Sequence, residues 1–286
     1  MTDGPVCTAA SEGYRRPSRL EGAAVLGRRL AAGPLRGALR AAYHAALHLA
    51  SGGRGIASTL PGGETVRVHP AYRFMTWNAA EYDAFRAAVR PGAVALDVGA
   101  NVGAYALLLG QWVRPGGRVF AFEPAPGAFA GLARHVEMNG VAGTVACVRA
   151  AVSSSSGRAA LLADGLQGTN RLSGSGGAAP ATPVVEVETV SLDDFCARER
   201  IDPTFVKVDV EGAELEVLRG MRETVRRMGE RLSLFVEMHP TLWRGSGIGV
   251  EDVKEEMELQ GLAAVPLRGE GDPWALEGEC VRLVRR

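Results

Sequence analysis

Between residues 93 and 284, short apolar runs alternate with stretches of helical periodicity, and few folds admit that rhythm. Ala93–Val98, Arg118–Phe122, Thr144–Val152, Val184–Val190, Phe205–Val210 and Leu232–Glu237 read as strands. Gly103–Val113, Pro126 to about Asn139, the stretch opened by Ser191, Ala213–Met228 and Val250–Gln260 read as helices. Ser191 is placed to cap its helix, with Asp194 at the reciprocal position of a capping box. Strands and helices alternating at this spacing require parallel strands joined by right-handed crossovers. The expected fold is therefore α/β: a Rossmann-like, doubly wound sheet with helices on both faces. Ala263–Leu267 and Cys280–Val284 are separated by a loop alone, so they are expected to pair antiparallel.

Two regions stand outside the rhythm. Residues 1–58 read as an extension and residues 59–286 as the main domain. Within the extension, residues 1–18 are polar and broken by Gly and Pro, a pattern of disorder. Leu20 to Ala50 is Ala-rich and helical, interrupted at Gly33-Pro34 because proline lacks a donor. Leu35, Leu39, Ala42, Ala46 and Leu49 form one apolar stripe, which suits core packing or a homodimer surface; a lid over the site is the sharper alternative. His44 and His48 have no carboxylates beside them and read as surface or interface residues. Further on, residues 59–68 suggest a hairpin around Pro61-Gly62-Gly63, and Ala79–Val89 a helix. The second irregular region, Ser153–Pro183, is rich in Gly, Ser and Ala and is expected to hold hairpin and loop rather than core.

Composition excludes several classes. The 286 residues carry 32 basic and 32 acidic side chains, so no global charge draws the chain to nucleic acid. The eight Arg of residues 1–58 lack interleaved aromatics, which argues against a nucleic-acid-binding module. No apolar run approaches the roughly 18 residues of a membrane span. Cys7, Cys147, Cys196 and Cys280 show no metal spacing and read as free thiols; with no secretion signal, a cytoplasmic location is expected.

The chemistry concentrates at strand ends. Leu96-Asp97-Val98-Gly99-Ala100-Asn101-Val102-Gly103 closes one strand and opens a helix. In open α/β sheets such a turn receives a nucleotide-like ligand. A dinucleotide fingerprint would be Gly-x-Gly-x-x-Gly facing a pyrophosphate. Here an acid stands in the turn, where it repels phosphate and suits an ammonium group. S-adenosylmethionine, a cationic cofactor without phosphate, matches that sign; an NAD(P)-dependent oxidoreductase is the disfavoured alternative. Glu123 lies 20 residues beyond Gly103, the spacing at which an acid grips a ribose. Trp77, Tyr82 and Tyr105 are expected in the core, with a wall against the donor as the other reading.

In order, Asp97-Val-Gly-Ala-Asn-Val-Gly-Ala-Tyr105, Glu123-Pro-Ala-Pro126, Ser191-Leu-Asp-Asp-Phe195, Val206-Lys-Val-Asp-Val-Glu-Gly-Ala-Glu214 and Val236-Glu-Met-His239 resemble the successive motifs of FkbM-type methyltransferases. The resemblance covers about residues 90–240. It implies a class I methyltransferase sheet of seven strands, mostly parallel, with an antiparallel last strand. It also implies S-adenosylmethionine as donor and O-methylation of a hydroxylated sugar or specialised metabolite, with substrate choice set in residues 1–70 and 153–183. By carry-over, Asp97, Gly99, Asn101 and Gly103 shape the methionine end, Glu123 takes the ribose, and Ala151 borders the adenine. Methylation at nitrogen or carboxylate on the same fold stays open.

Asp209 and Glu211 stand at the catalytic edge, with three roles open to them: orienting substrate and cofactor, acting as base, or binding a divalent cation. Lys207 is expected to pair with one of them, and Glu214 suits the dipole of the helix it opens. His239 follows a strand end and is a candidate general base, with a structural or substrate-binding role as the alternative. Glu237 would orient His239 or join Asp209. No metal is expected; were one present, Asp209, Glu237 and His239 would hold it, with Mg2+ the candidate.

Overall fold

The structure is a computed structural model that describes residues 13–14, 43, 46–47, 49, 51–162, 171–172, 184–268, 272–274 and 278–286. The chain divides into two compact units, Met1–Asp83 and Ala84–Arg286. The first contains the expected hairpin, Ile56–Thr59 paired antiparallel with Thr65–Val68. Tyr82 is buried there; its hydroxyl donates to Glu64 Oε2 at 2.6 Å and accepts from Gly62 N at 2.9 Å, pinning the hairpin turn. Trp77 is buried as well. Tyr43, Ala46, Leu47 and Leu49 are helical, and Leu49 is exposed. Leu35, Leu39, Ala42, His44 and His48 lie outside the described residues.

The second unit is built on one seven-stranded sheet: β1 (Val94–Val98), β2 (Arg118–Phe122), β3 (Val145–Val148), β4 (Phe205–Val208), β5 (Ser233–Met238), β6 (Leu262–Pro266) and β7 (Glu279–Arg285). The spatial order is β6-β7-β5-β4-β1-β2-β3. All pairings from β3 to β5 are parallel, and β7 runs antiparallel to both β5 and β6. The order runs outward from β1 to β3 and in the opposite direction from β4 to β5. Right-handed crossovers then put the β1–β3 helices on one face and the helix pair between β4 and β5 on the other. The first set is α1 (Ala104–Trp112) and α2 (Pro126–Met138). The reversal falls between β1 and β4, where a crevice opens at the carboxyl ends of the strands.

Central strands buried on both faces need continuous apolar runs, and all four residues of β4 are buried. Phe205 and Phe235 pack with Phe85 and Tyr105 on one side of the sheet. Lys207 is the exception in this run, and its neighbour in register on β1 is Asp97.

The structure corrects three expectations. The strand expected over Thr144–Val152 splits: β3 ends at Val148, and Ala151–Val152 pairs instead with Val184–Val190 in a separate four-stranded sheet. Ser153–Pro183 contributes core as well as loop, because Gly157–Leu162 joins that second sheet and buries Leu161 against Ala125, Ala128, Ala151 and Val187. Residues 163–170 and 173–183 of that segment lie outside the described residues.

The helix expected over Ala213–Met228 is two, α4 (Glu214–Arg219) and α5 (Arg222–Met228), with α3 (Leu192–Glu199) before them. Asp193 explains the break: its carboxylate accepts from Glu223 N, Thr224 N and Thr224 Oγ1, restarting the helix as an N-cap supplied from elsewhere in the chain. Ser191 caps α3 as expected, accepting from Asp194 N. The box closes through a third residue, since Ser156 Oγ accepts from Ser191 N and donates to Asp194. The last helices are α6 (Pro240–Gly245) and α7 (Val250–Leu259). No helix among the described residues is long and apolar enough to cross a membrane.

Candidate active site

The loop after β1 explains its own sequence. Gly99 has φ +79°, and a Cβ there would lie 1.7 Å from the Asp209 carbonyl oxygen. The loops leaving β1 and β4 therefore touch backbone to backbone, which only glycine allows. Gly99 N and Ala100 N both donate to Phe122 O, tying the loop to β2. Asn101 holds φ +48°, a left-handed conformation that Asn tolerates better than most residues. Gly103 closes the turn, its N donating to Ala100 O, and α1 begins at the next residue.

Glu123 follows β2 and is buried. Its Oε2 accepts from Asn101 N at 2.9 Å and its Oε1 from Ala125 N at 2.8 Å, so one carboxylate braces both loops. Burial, with the nearby Asp209 and Asp97 charges acting the same way, pushes its pKa up to about 7, more than these two bonds offset.

Between these loops lies a pocket of about 690 Å3, open mouth included. That is the size range of small-ligand sites. Ala150, Ala151, Val152 and Leu161 line it beyond β3; Asp209 and Glu211 line it beyond β4; Gly99, Asn101 and Glu123 lie between. Sheet order thus places an apolar slot at one end and carboxylates at the other. Asp97 and Gly103 are not on the wall. Asp97 is fully buried beneath the loop, where Lys207 Nζ stands 3.7 Å from its Oδ1 and 3.1 Å from Asp209 Oδ2. Burial raises the Asp97 pKa and the Lys207 charge lowers it, with burial the larger effect. The pocket's negative charge therefore comes from Glu123, Asp209 and Glu211, and no basic side chain is among its lining residues.

Beside the Asp209 end stands His239. Its Nδ1 is 2.8 Å from Glu214 Oε1, and its Nε2 is 3.5 Å from Glu237 and 3.9 Å from Glu211. Burial opposes charge on this ring, yet Glu214 and Glu237 outweigh it and push the pKa up to about 11. Burial pushes Glu211 up to about 7, with His239 acting against it and Asp209 with it. Glu211 sits at φ +51°, in a conformation rare for its type and found disproportionately at functional sites.

Asp209, Glu211 and His239 offer atoms within 4.8 Å of one another, a spacing that could hold a metal ion. Glu211 stands there in the place the sequence suggested for Glu237. Three contributors escaped the sequence reading. Leu161 lies in the Gly-, Ser- and Ala-rich stretch expected to hold hairpin and loop rather than core. Glu214 offers the sequence reading only a charge suited to a helix dipole. Trp243 gave one faint signal, its position four residues beyond His239 on a helical repeat.

A family model described as the methyltransferase FkbM domain matches residues 97–261. The hexuronic acid methyltransferase AglP of Haloferax volcanii is 32% identical over 160 residues, covering 55% of this chain and 58% of that protein. The 31-O-demethyl-FK506 methyltransferase FkbM of Streptomyces tacrolimicus is 47% identical over 57 residues, 20% of this chain and 22% of that one. The matches thus span less than two thirds of either relative's length. Among solved structures, a methyltransferase FkbM from Methylobacillus flagellatus KT overlaps at 16% identity with a TM-score of 0.44, covering 75% of this chain and 52% of that one.

Proposed function

The chain belongs to the FkbM methyltransferase domain family, and on that premise we propose that it is an S-adenosylmethionine-dependent O-methyltransferase acting on a hydroxylated small molecule. One observation carries the reading: a pocket at the sheet's switch point is lined by three carboxylates and by no basic side chain. Phosphate would be repelled there, while a sulfonium and an ammonium are attracted. The residues fit such a donor. Glu123 keeps free lone pairs on both oxygens for ribose hydroxyls. Ala150, Ala151 and Leu161 leave an apolar slot for a flat ring.

When bound, the donor supplies an electrophilic methyl group on sulfur. The protein's part is to place a hydroxyl in line with it and to take the hydroxyl proton. We assign the proton to Glu211, whose pKa near 7 suits a base at neutral pH. Asp209, held by the Lys207 ammonium that it shares with Asp97, orients the acceptor. His239, held as an imidazolium, supports Glu211 from behind and does not itself accept the proton. Of the two relatives, one is named for a 31-O-demethyl acceptor and the other for a hexuronic acid, which carries hydroxyl and carboxyl groups alike.

Incubation with methyl-labelled donor and hexuronic acids or polyols, followed by mass spectrometry, tests the proposal. Base-stable transferred methyl identifies an ether; base-labile methyl identifies a carboxyl ester and overturns O-methylation of a hydroxyl. Absence of calorimetric binding by the donor or its demethylated product overturns the whole assignment.

A further inference from the structure

Glu214 is completely buried at the start of α4, and burying a carboxylate is costly unless its lone pairs are filled. Here they are filled from three directions. Gly212 N donates to Oε1 at 3.0 Å, His239 Nδ1 lies 2.8 Å from the same oxygen, and Trp243 Nε1 donates to Oε2 at 2.5 Å. An ionised carboxylate only accepts and an indole N–H only donates. The His239 nitrogen facing Glu214 must therefore carry hydrogen, and the ring is turned so that Nε2 faces Glu237 and Glu211.

From this geometry we infer that Glu214 is a positioning residue: it fixes the orientation and the Nδ1–H form of His239, and through that ring the placement of Glu211 at the acceptor end of the pocket. The inference rests on the methyltransferase reading for its kinetic consequence but not for its structural one. A helix-dipole role needs none of the three bonds to converge on one side chain. A mere staple between α4 and α6 would use Trp243 and leave the imidazole free to turn.

The test joins spectroscopy to kinetics. In protein labelled with 15N-histidine, the long-range 1H–15N correlation spectrum of the wild type is expected to show His239 Nδ1 protonated; an unprotonated Nδ1 overturns the inference before any variant is made. In Glu214→Gln the amide keeps the volume, but its N–H group must face either the Trp243 indole N–H or the Gly212 N–H and His239 Nδ1 together. The ring is the partner able to adapt, so its Nδ1 is expected to become an acceptor. The turnover number is expected to fall about 10²-fold, the effect of displacing a reacting group by roughly an ångström. Donor affinity, by calorimetry, is expected to stay within about threefold of wild type.

Val253→Ala, a core truncation in α7 away from the pocket, serves as the stability control. It is expected to lower the melting temperature while keeping turnover. Unchanged turnover in Glu214→Gln, or an equal loss in Val253→Ala, overturns the positioning role. Should Glu214→Gln fail to fold, the wild-type spectrum still decides. Loss of donor binding in the wild type would instead count against the methyltransferase reading and leave the spectroscopic result standing.

Discussion

Replacing Glu123 by Gln removes a charge from the pocket while nearly preserving its shape, and the consequence can be worked out in advance. Burial raises the Glu123 pKa from 4.5 to about 7. The native state then binds this proton more tightly than the unfolded chain does. Stability from the group is fully present below pH 4.5 and is lost as pH rises through 7. At 1.36 kcal/mol per pKa unit, moving from 4.5 to about 7 amounts to about 3 kcal/mol. Gln does not titrate, so the stability difference between variant and wild type should swing by about 3 kcal/mol in favour of Gln between about pH 4 and pH 8. An amide turned against Asn101 N or Ala125 N adds a cost of about 1–3 kcal/mol, the same at both ends, so the swing remains readable. Urea unfolding of both proteins across that range measures it. A difference that stays flat with pH would show that burial does not burden this carboxylate, and the reasoning would fail.

Other perturbations probe separate parts of the site. Gly99→Ala puts a Cβ 1.7 Å from the Asp209 carbonyl at φ +79°, so a loss of about 2–4 kcal/mol and of detectable donor binding is expected by thermal melting and calorimetry; a fully stable variant would contradict the backbone contact. Leu161→Ala removes a buried wall of the apolar slot, costing about 2–5 kcal/mol and raising KM for the donor while leaving that for the acceptor alone. A divalent cation at Asp209 would meet the Lys207 ammonium 3.1 Å from one of its own ligands. Turnover is therefore expected to survive a chelator, and activity lost to chelation and restored by Mn2+ would refute this.

Much of the sheet was legible because parallel strands buried on both faces must be apolar and must be spaced by helices. Arg118–Phe122 begins and ends where the pattern says it does. The failures share a cause, which is that they depend on partners distant in sequence. Nothing local in Thr144–Val152 reveals that Val190 captures its last residue. Nothing within 213–228 reveals that Asp193 restarts the helix. The site divides in the same way. Gly99, Asn101, Glu123, Ala151, Asp209 and Glu211 are written into strand ends and do line one pocket. Asp97 sits below that wall because its register places it opposite Lys207, a pairing that spans 110 positions of chain. His239 was found by its location, but its charge is set by Glu214 and Glu237, one of which belongs to another strand's exit.

Lys207 is one ammonium serving two carboxylates, Asp97 and Asp209. Two negative charges against one positive leave that corner in deficit, and Glu123 and Glu211 deepen it as they ionise. A guest carrying positive charge settles the imbalance; a neutral one does not. In the proposed reaction the sulfur would be cationic on arrival and neutral on departure, so the pocket's attraction for its guest would fall once the methyl group has moved. The same arithmetic that draws the fresh cofactor in loosens the spent one, with no moving part required.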